Sequence, residues 1–312
     1  MSERIAIGID TSCYTTSVAC VKERSIVFSK GTMLSVPFGG RGLRQSEGLF
    51  QHVKNLPELL EALFAAVSGQ EIFCIGVSAT PTTEQDSYMP VFLAGLSQAR
   101  GLASALHVPL IRLDHQSGHI RAALHTNEEL LDRERFYAIH ISGGTTDVLL
   151  VEPQKDGSFS IHPLGRSTDL HAGQFVDRVG VALGCSFPSG KQLEALALQA
   201  TERDIKIGAS VQGLNCSFSG AESRASRLLS EAPKEELAFA VYDCLARTLH
   251  KLMEACSMTH GNAPFLLCGG VASSALLREL LHRRSERTLY FGEASLSSDN
   301  AVGTAFLALE RR

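Results

Sequence analysis

Apolar residues in this chain fall into short runs of four to eight and into longer stretches spaced by three and four, the signature of strands alternating with helices. In the first half, residues 4–9, 15–21 and 25–33 read as a three-stranded meander, followed by a glycine-rich loop at 37–42. Residues 46–67 read as a helix, with Leu49, Val53, Leu56, Leu60, Leu63 and Val67 on one buried face. Pro57 lies inside it and predicts a kink or a break. A buried strand (72–77), a polar loop (80–88), a helix opened by Pro90 and ending near His107, and a short strand (108–113) follow.

The second half repeats the plan. Residues 137–141, 147–151 and 158–162 read as a second meander. A helix at 170–184 places Phe175, Val179 and Leu183 on one face; Pro188-Ser189-Gly190 breaks it before another helix at 192–200. Residues 215–220 read as a hydroxyl-bearing loop, and 234–258 as a long amphipathic helix. A buried strand (264–268) runs into Gly269-Gly270, a turn that opens a helix to about residue 284 and is suited to a nucleotide contact. After a last strand (288–291), Ser298-Asp299-Asn300 caps a final helix at 301–309. The polar stretch 126–135 predicts a boundary between a lobe at 1–130 and a lobe at 131–312, with the final helix packing back across the cleft.

Each half opens with a strand, a small polar turn and a second strand. In the second half the turn is Ser142-Gly143-Gly144-Thr145-Thr146-Asp147, in the first Asp10-Thr11-Ser12-Cys13-Tyr14-Thr15-Thr16-Ser17. Two glycines let backbone approach a ligand closely, and successive amides there can form an anion-binding nest. Two such turns facing each other predict a two-sided clamp for a phosphate-bearing ligand. The layout resembles the two-lobed α/β fold, with internal duplication, of actin, sugar kinases and heat-shock ATPases.

Composition narrows the function classes. With 312 residues, 44% hydrophobic and 20% charged, the chain has material for two cores. A net charge of −4 gives no global case for nucleic acid. The arginine groups at Arg41/Arg44, Arg283/Arg284/Arg287 and Arg311/Arg312 read as solvated faces. Eight cysteines without a Cys-x-x-Cys pair point to a reducing cytoplasm rather than a disulfide scaffold. No apolar run approaches the ~20 residues of a membrane span, and no signal peptide is evident.

The chemistry-bearing motif is Asp114-His115-Gln116-Ser117-Gly118-His119. Asp114 is a good N-cap, and His115 and His119, four apart, share a helix face on which they can supply two metal ligands. Gln116 stands where a zinc protease carries glutamate, which argues against that mechanism.

Taken together the motifs resemble the TsaD family, which makes threonylcarbamoyladenosine in tRNA. They run in order over nearly the whole chain: Gly8-Ile9-Asp10-Thr11-Ser12-Cys13, Asp114 to His119, Ser142 to Thr146, Ala172-Gly173-Gln174 to Asp177, Phe218-Ser219-Gly220, Gly269-Gly270-Val271-Ala272 and Ser298-Asp299-Asn300-Ala301. The resemblance implies one iron or zinc ion held by His115, His119 and Asp299. It also implies contacts to an adenylate or ATP-type ligand from Ile141, Ser142, Gly143, Gly144, Thr145, Asp177, Gly190 and Ser274, with Asp177 accepting from ribose hydroxyls.

The departures are specific. Tyr14 and Thr15 replace an acidic pair, one carboxylate of which is held to be catalytic, so the catalytic residue stays unassigned; Thr145, Gln174, Glu222 and Ser274 stand for a His, a Glu, a Lys and an Asn. The leading expectation is a cytoplasmic, metal-dependent transferase acting on tRNA with the partner proteins of that machinery. The alternatives are a catalytically altered paralogue acting as a nucleotide-binding partner or regulatory subunit, paired with a related chain or with itself, and a small-molecule ATPase, carbamoyltransferase or kinase on the same fold.

Overall fold

The structure is a computed structural model and describes residues 4–12, 14–36, 43–67, 71–84 and 86–311. Cys13, Arg41 with the rest of the glycine-rich loop at 37–42, position 85 of the polar loop, and Arg312 lie outside the described residues.

The strands form two sheets whose central strands, β1 (Ile5–Asp10) and β6 (Phe136–Ile141), are buried on both faces. In the first, β1 (Ile5–Asp10) pairs antiparallel with β2 (Thr15–Lys22), which pairs antiparallel with β3 (Ser25–Met33); β4 (Ile72–Thr80) and β5 (Leu110–Asp114) add in parallel on the other side of β1. The second sheet repeats this: β6 (Phe136–Ile141), β7 (Thr146–Pro153) and β8 (Phe159–Arg166) form the antiparallel meander, and β11 (Phe265–Cys268) and β12 (Leu289–Phe291) add in parallel beyond β6.

Successive side chains point to opposite faces of a strand. Ile5, Ile7 and Ile9 therefore face one way, into a core shared with α1 (Gln45–Ala66) and α2 (Phe92–Leu106). Tyr137, Ile139 and Ile141 face a core shared with α4 (Ala172–Ala182), α5 (Gly190–Ala197), α6 (Ser219–Leu228), α7 (Lys234–His260) and α8 (Ala275–His282). The opposite faces, with Ala6, Ala19, Phe136 and Ala138, enclose α3 (His115–Leu124) and α9 (Val302–Glu310) in a third core between the sheets. Val302, Phe306 and Leu307 of α9 are fully buried there, each contributing about 1.5–3 kcal/mol.

The small residues of this middle layer are dictated by spacing. A Cβ on Gly76 would sit 2.7 Å from the Thr304 carbonyl oxygen, and one on Gly303 would overlap the Gly118 carbonyl oxygen. Backbones of α9, β4 and α3 thus meet at positions that admit no side chain.

Several sequence expectations change. Pro57 does not divide α1, which runs unbroken over 22 residues. Leu56, Leu59, Leu60 and Leu63 anchor it around the proline, which is itself exposed, so the carbonyl it frees can be hydrated. Val53 is not on the buried face but half exposed; His52 takes the inward position and meets the Thr16 hydroxyl at 2.8 Å. Residues 215–220 are not a loop: β9 (Ser210–Gln212) and β10 (Asn215–Ser217) form a hairpin, and α6 begins at Ser219. Asp169 organises that start, accepting from the Phe218 amide (2.9 Å) and the Ser217 and Ser219 hydroxyls. Ahead of α9, Asn300 caps the Val302 amide (3.0 Å), while Asp299 turns elsewhere.

The seven described cysteines are free and buried, and burial pushes the Cys20 thiol up to about 12. Arg283, Arg284 and Arg287 are paired with Glu279, Asp243 and Glu254. No helix among the described residues is long and apolar enough to cross a membrane.

Gly303→Ala is expected to lower unfolding free energy in urea by about 1–3 kcal/mol or more, through overpacking at the α3–α9 crossing. Gly101→Ala, in α2 with nothing within 4 Å of its added Cβ, is expected to raise it by up to about 1 kcal/mol.

Candidate active site

The site is assembled where α3 and α9 enter the middle layer. Asp114 caps α3 by accepting from the Ser117 amide at 2.8 Å. This sets the helix phase that puts His115 and His119 on one face, ring centroids 4.4 Å apart. Asp299 approaches from the segment before α9: its Oδ1 lies 3.3 Å from His119 Nε2 and 3.6 Å from His115 Nε2. One ligand atom from each of the three residues lies within 4.8 Å of the others.

The other nitrogen of His115, Nδ1, is tied to Asp10 Oδ2 at 2.8 Å. Asp10 is buried at the end of β1 and is held by the Ser12 amide (2.8 Å) and the Ser12 and Ser78 hydroxyls (2.5 Å each). A carboxylate behind an imidazole fixes its tautomer and turns the opposite nitrogen toward a cation. Burial works against charge on His115, but Asp10 and Asp299 outweigh it and hold its pKa up at about 10. Burial would raise Asp299, but His115 and His119 overcome it and hold its carboxyl well below the usual range. Burial and the His115 charge push His119 down. A carboxylate oxygen facing two imidazole nitrogens is a donor set that suits zinc or iron. His140 of β6 completes the neighbourhood: it is 2% exposed and its ring centroid is 4.6 Å from that of His119.

Asp299 also lines a cavity of about 500 Å³. Of the sequence-predicted contacts, Ser142, Gly143, Asp177, Gly190 and Ser274 line it, as do Tyr14 and Thr15. Ile141, Gly144 and Thr145 are not among its lining residues: Ile141 points into the core, and Gly144 is exposed in the turn. Glu222, in the first turn of α6, is not a lining residue either. The glycine turn is clamped from both sides. Gly173 donates to the Ser142 carbonyl at 3.1 Å, and Gly269, at φ +91°, lies against the Ile141 carbonyl with no space for a Cβ. Among the described residues the Gly143 amide has no protein acceptor. Arg178 and Lys191 add positive charge to the cavity wall.

Two expectations about phosphate binding change. The hydroxyls of the first turn are spent internally: Thr11 on the Val91 carbonyl (3.0 Å), Ser12 on Asp10, Thr16 on His52. That turn presents Tyr14 and Thr15 to the cavity, opposite Ser142 and Gly143 of the second turn. The start of α8 is also engaged, because Glu194 accepts from the Leu276 amide (2.7 Å) and the Ser274 hydroxyl (2.9 Å), and Ser274 accepts from Leu277 (3.1 Å).

Residues that the sequence motifs do not single out as ligands also matter here: Asp10 holds His115, and His140 stands beside His119. Phe187 packs edge-on to Tyr14, centroids 5.4 Å apart, across the cavity, and Tyr242 donates to the Gly190 carbonyl at 2.9 Å. Asp177 accepts from the Ser189 amide (2.7 Å), and burial raises its pKa. Gln116 donates to Asp147 (3.1 Å), so no carboxylate follows His115 to serve as a protease base.

Comparison with known proteins converges on one family. The model described as "TsaD: tRNA N6-adenosine threonylcarbamoyltransferase" matches residues 44–306. A protein of that name from Neorickettsia sennetsu is 26% identical over 325 aligned residues, covering 100% of this chain and 94% of that protein. One from Thermosipho melanesiensis is 30% identical, covering 88% of this chain and 83% of that protein. Among solved structures, a ROK family glucokinase from Streptomyces griseus, in complex with glucose and AMPPNP, superposes with a TM-score of 0.55 at 12% identity, covering 98% of this chain and 99% of that one. The two-lobed fold is shared with sugar kinases.

Asp10→Asn is expected to leave the fold intact and weaken zinc binding about 10–100-fold, the usual cost of losing an outer carboxylate behind a ligating histidine. Competition with a chromophoric chelator measures it; unchanged affinity would show that Asp10 does not orient a ligand.

Proposed function

The chain belongs to the TsaD family, and from that premise we propose that it moves a threonylcarbamoyl group from its adenylate to the adenosine beside the anticodon of a tRNA. One observation carries this reading: Asp299, one of three convergent metal-type donors, lines the same cavity as the glycine turn, which supports an electrophile and its phosphate leaving group sharing a single pocket.

His115, His119 and Asp299 would hold the divalent cation, zinc or iron. When bound there, the ion supplies Lewis acidity for the carbonyl under attack. The Gly143 amide would receive the adenylate phosphate, and Arg178 and Lys191 would lower the cost of bringing that charge into the cavity. Asp177 would accept from the ribose. Gly190 offers backbone without a Cβ, positioned by the Tyr242 hydroxyl at its carbonyl. Closure of the lobes around the pair of substrates would supply positioning, which lowers the barrier by removing translational freedom. The acceptor is a tRNA, and the acidic overall balance places its recognition on local contacts and partner proteins rather than on a basic face. The reaction belongs to the cytoplasm.

Purified protein incubated with threonylcarbamoyl-adenylate and unmodified tRNA should yield the modified nucleoside by mass spectrometry. The double variant His115→Ala/His119→Ala should lose two orders of magnitude or more in rate, about the cost of removing a charged transition-state contact. No modified nucleoside from the wild-type protein, alone or with the partner proteins of a bacterial threonylcarbamoylation system, would overturn the assignment.

A further inference from the structure

A second cavity, of about 800 Å³, opens at the other end of the second sheet. Ala263, Pro264 and Thr288 line it, immediately before β11 and β12. The glycine turn lies at the opposite end of β11, beside Gly269. The two cavities share no lining residue. The volume of the second falls within the ~300–1,000 Å³ of small-molecule sites.

Its wall is built from arginine. Arg133, Arg284 and Arg287 line it. The Arg135 guanidinium lies next to the wall, 3.4 Å from where a Cβ on Gly261 would stand. Carboxylates hold two of these side chains in place. Arg287 forks onto Glu254 (2.8 and 3.1 Å) and donates to the Asn262 side chain (3.0 Å). Arg284 meets Asp243, which also pairs with Arg247 at 2.8 Å. One carboxylate between two arginines leaves a positive charge over. Arg133 is exposed and Arg135 half-buried, and neither guanidinium has a hydrogen bond or ion pair among the described residues. The carboxylates in the wall are Glu254, already neutralised by Arg287, and Glu286. Positive charge is thus in excess here, in a chain whose net charge is −4.

We propose that this cavity is a second anion site, taking the phosphate of a nucleotide on Arg133, Arg284 and Arg287. A guanidinium carries five N–H donors in a planar fork that matches phosphate oxygens. Arg287 spends three bonds on protein acceptors and Arg284 two, so both keep donors for a ligand. Their carboxylate partners fix the forks beforehand, which lowers the ordering cost of binding. Arg133 supplies the charge that no protein group neutralises, and Tyr290 adds an aromatic side chain to the wall. A phosphate here has two sources, a free mononucleotide or the backbone of tRNA, with the same chemistry of recognition. The site lies outside the catalytic cavity and does not depend on the reaction assigned to it.

Two probes are titrated into the full-length protein, AMP by calorimetry and unmodified tRNA at fixed ionic strength. The AMP series is run in Arg178→Ala/Lys191→Ala, which removes the cationic wall of the catalytic cavity. There Arg133→Glu should weaken AMP binding about 10–100-fold, the cost of a hydrogen bond to a charged group. Arg133→Ala should weaken it less. Because the Arg133 side chain bonds to no protein group, both variants should keep the wild-type Tm. Loss of AMP affinity makes a free nucleotide the ligand. Loss of tRNA affinity alone makes it the RNA backbone, and either result supports the site. Arg112→Glu, an exposed charge reversal on β5 of the first lobe, measures the nonspecific effect of charge. The proposal is overturned if Arg133→Glu changes neither affinity by more than Arg112→Glu does, or if neither probe binds. The assignment of the catalytic cavity would stand in that case, since its own test is the modified nucleoside.

Discussion

The crossing of α3 and α9 between the two sheets is the constraint on which the rest depends. Both helices are enclosed on two sides, so their mutual distance is fixed by what they carry at the contact. Gly118 and Gly303 carry nothing there, and Ser78 and Thr304 close the next layer with hydroxyls 3.0 Å apart. Backbone contact at that point brings the first turn of α3 to the segment leading into α9. Two histidines separated by 180 or more residues from Asp299 therefore meet it within hydrogen-bonding reach. A looser crossing would leave the three donors too far apart to share one ion, since metal–ligand bonds tolerate only a few tenths of an ångström.

The same crossing explains why polar groups cluster in so apolar a layer. Asp10, His115, His119 and His140 are buried among alanines, valines and leucines, with Asp299 half-buried beside them. Such groups are tolerated when charges and hydrogen bonds close on one another. Asp10 closes with Ser12, Ser78 and His115; Asp299 closes with His115 and His119. The carboxylates are thus satisfied, while His140, beside His119, has no partner for either ring nitrogen among the described residues.

How much of this was legible in the sequence depends on whether the signal was local. Both meanders and the long helix α7 followed from apolar periodicity. The His115/His119 pair followed from helical spacing, and Asp299 from its motif. Position 53 failed because the helical stripe drifts around α1, and His52, polar in sequence, is inward through a bond to Thr16. The β9–β10 hairpin and the start of α6 escaped because Asp169, 48 and 49 residues away, holds Ser217 and Phe218 where they meet. His140 looked like any strand residue, since only the tertiary arrangement reveals that its nitrogens lack partners. Hydroxyls signal hydrogen bonding without saying to what, and Thr11 and Ser12 of the first turn bond inward to secure α2 and β1, which leaves Tyr14 and Thr15 to line the cavity.

The departures at Tyr14 and Thr15 then acquire a physical meaning. A pair of carboxylates on that wall would add negative charge to a cavity already lined by Asp177, Glu194 and Asp299, and would repel a phosphate bound there as proposed. Tyr14 and Thr15 remove that repulsion, and Tyr14 adds an edge-on contact with Phe187 across the cavity. An adenylate bound as proposed would gain from both changes, by weaker repulsion and by an aromatic wall. In the proposed reaction, removal of a proton from the attacking amine would lose, because a positioned carboxylate contributes about 10²–10⁴ in rate when it acts as base. The acceleration would then come mainly from the proposed cation and from geometry. The cavity wall carries Arg178 and Lys191 beside Asp177, Glu194 and Asp299, the last held ionised by the histidines.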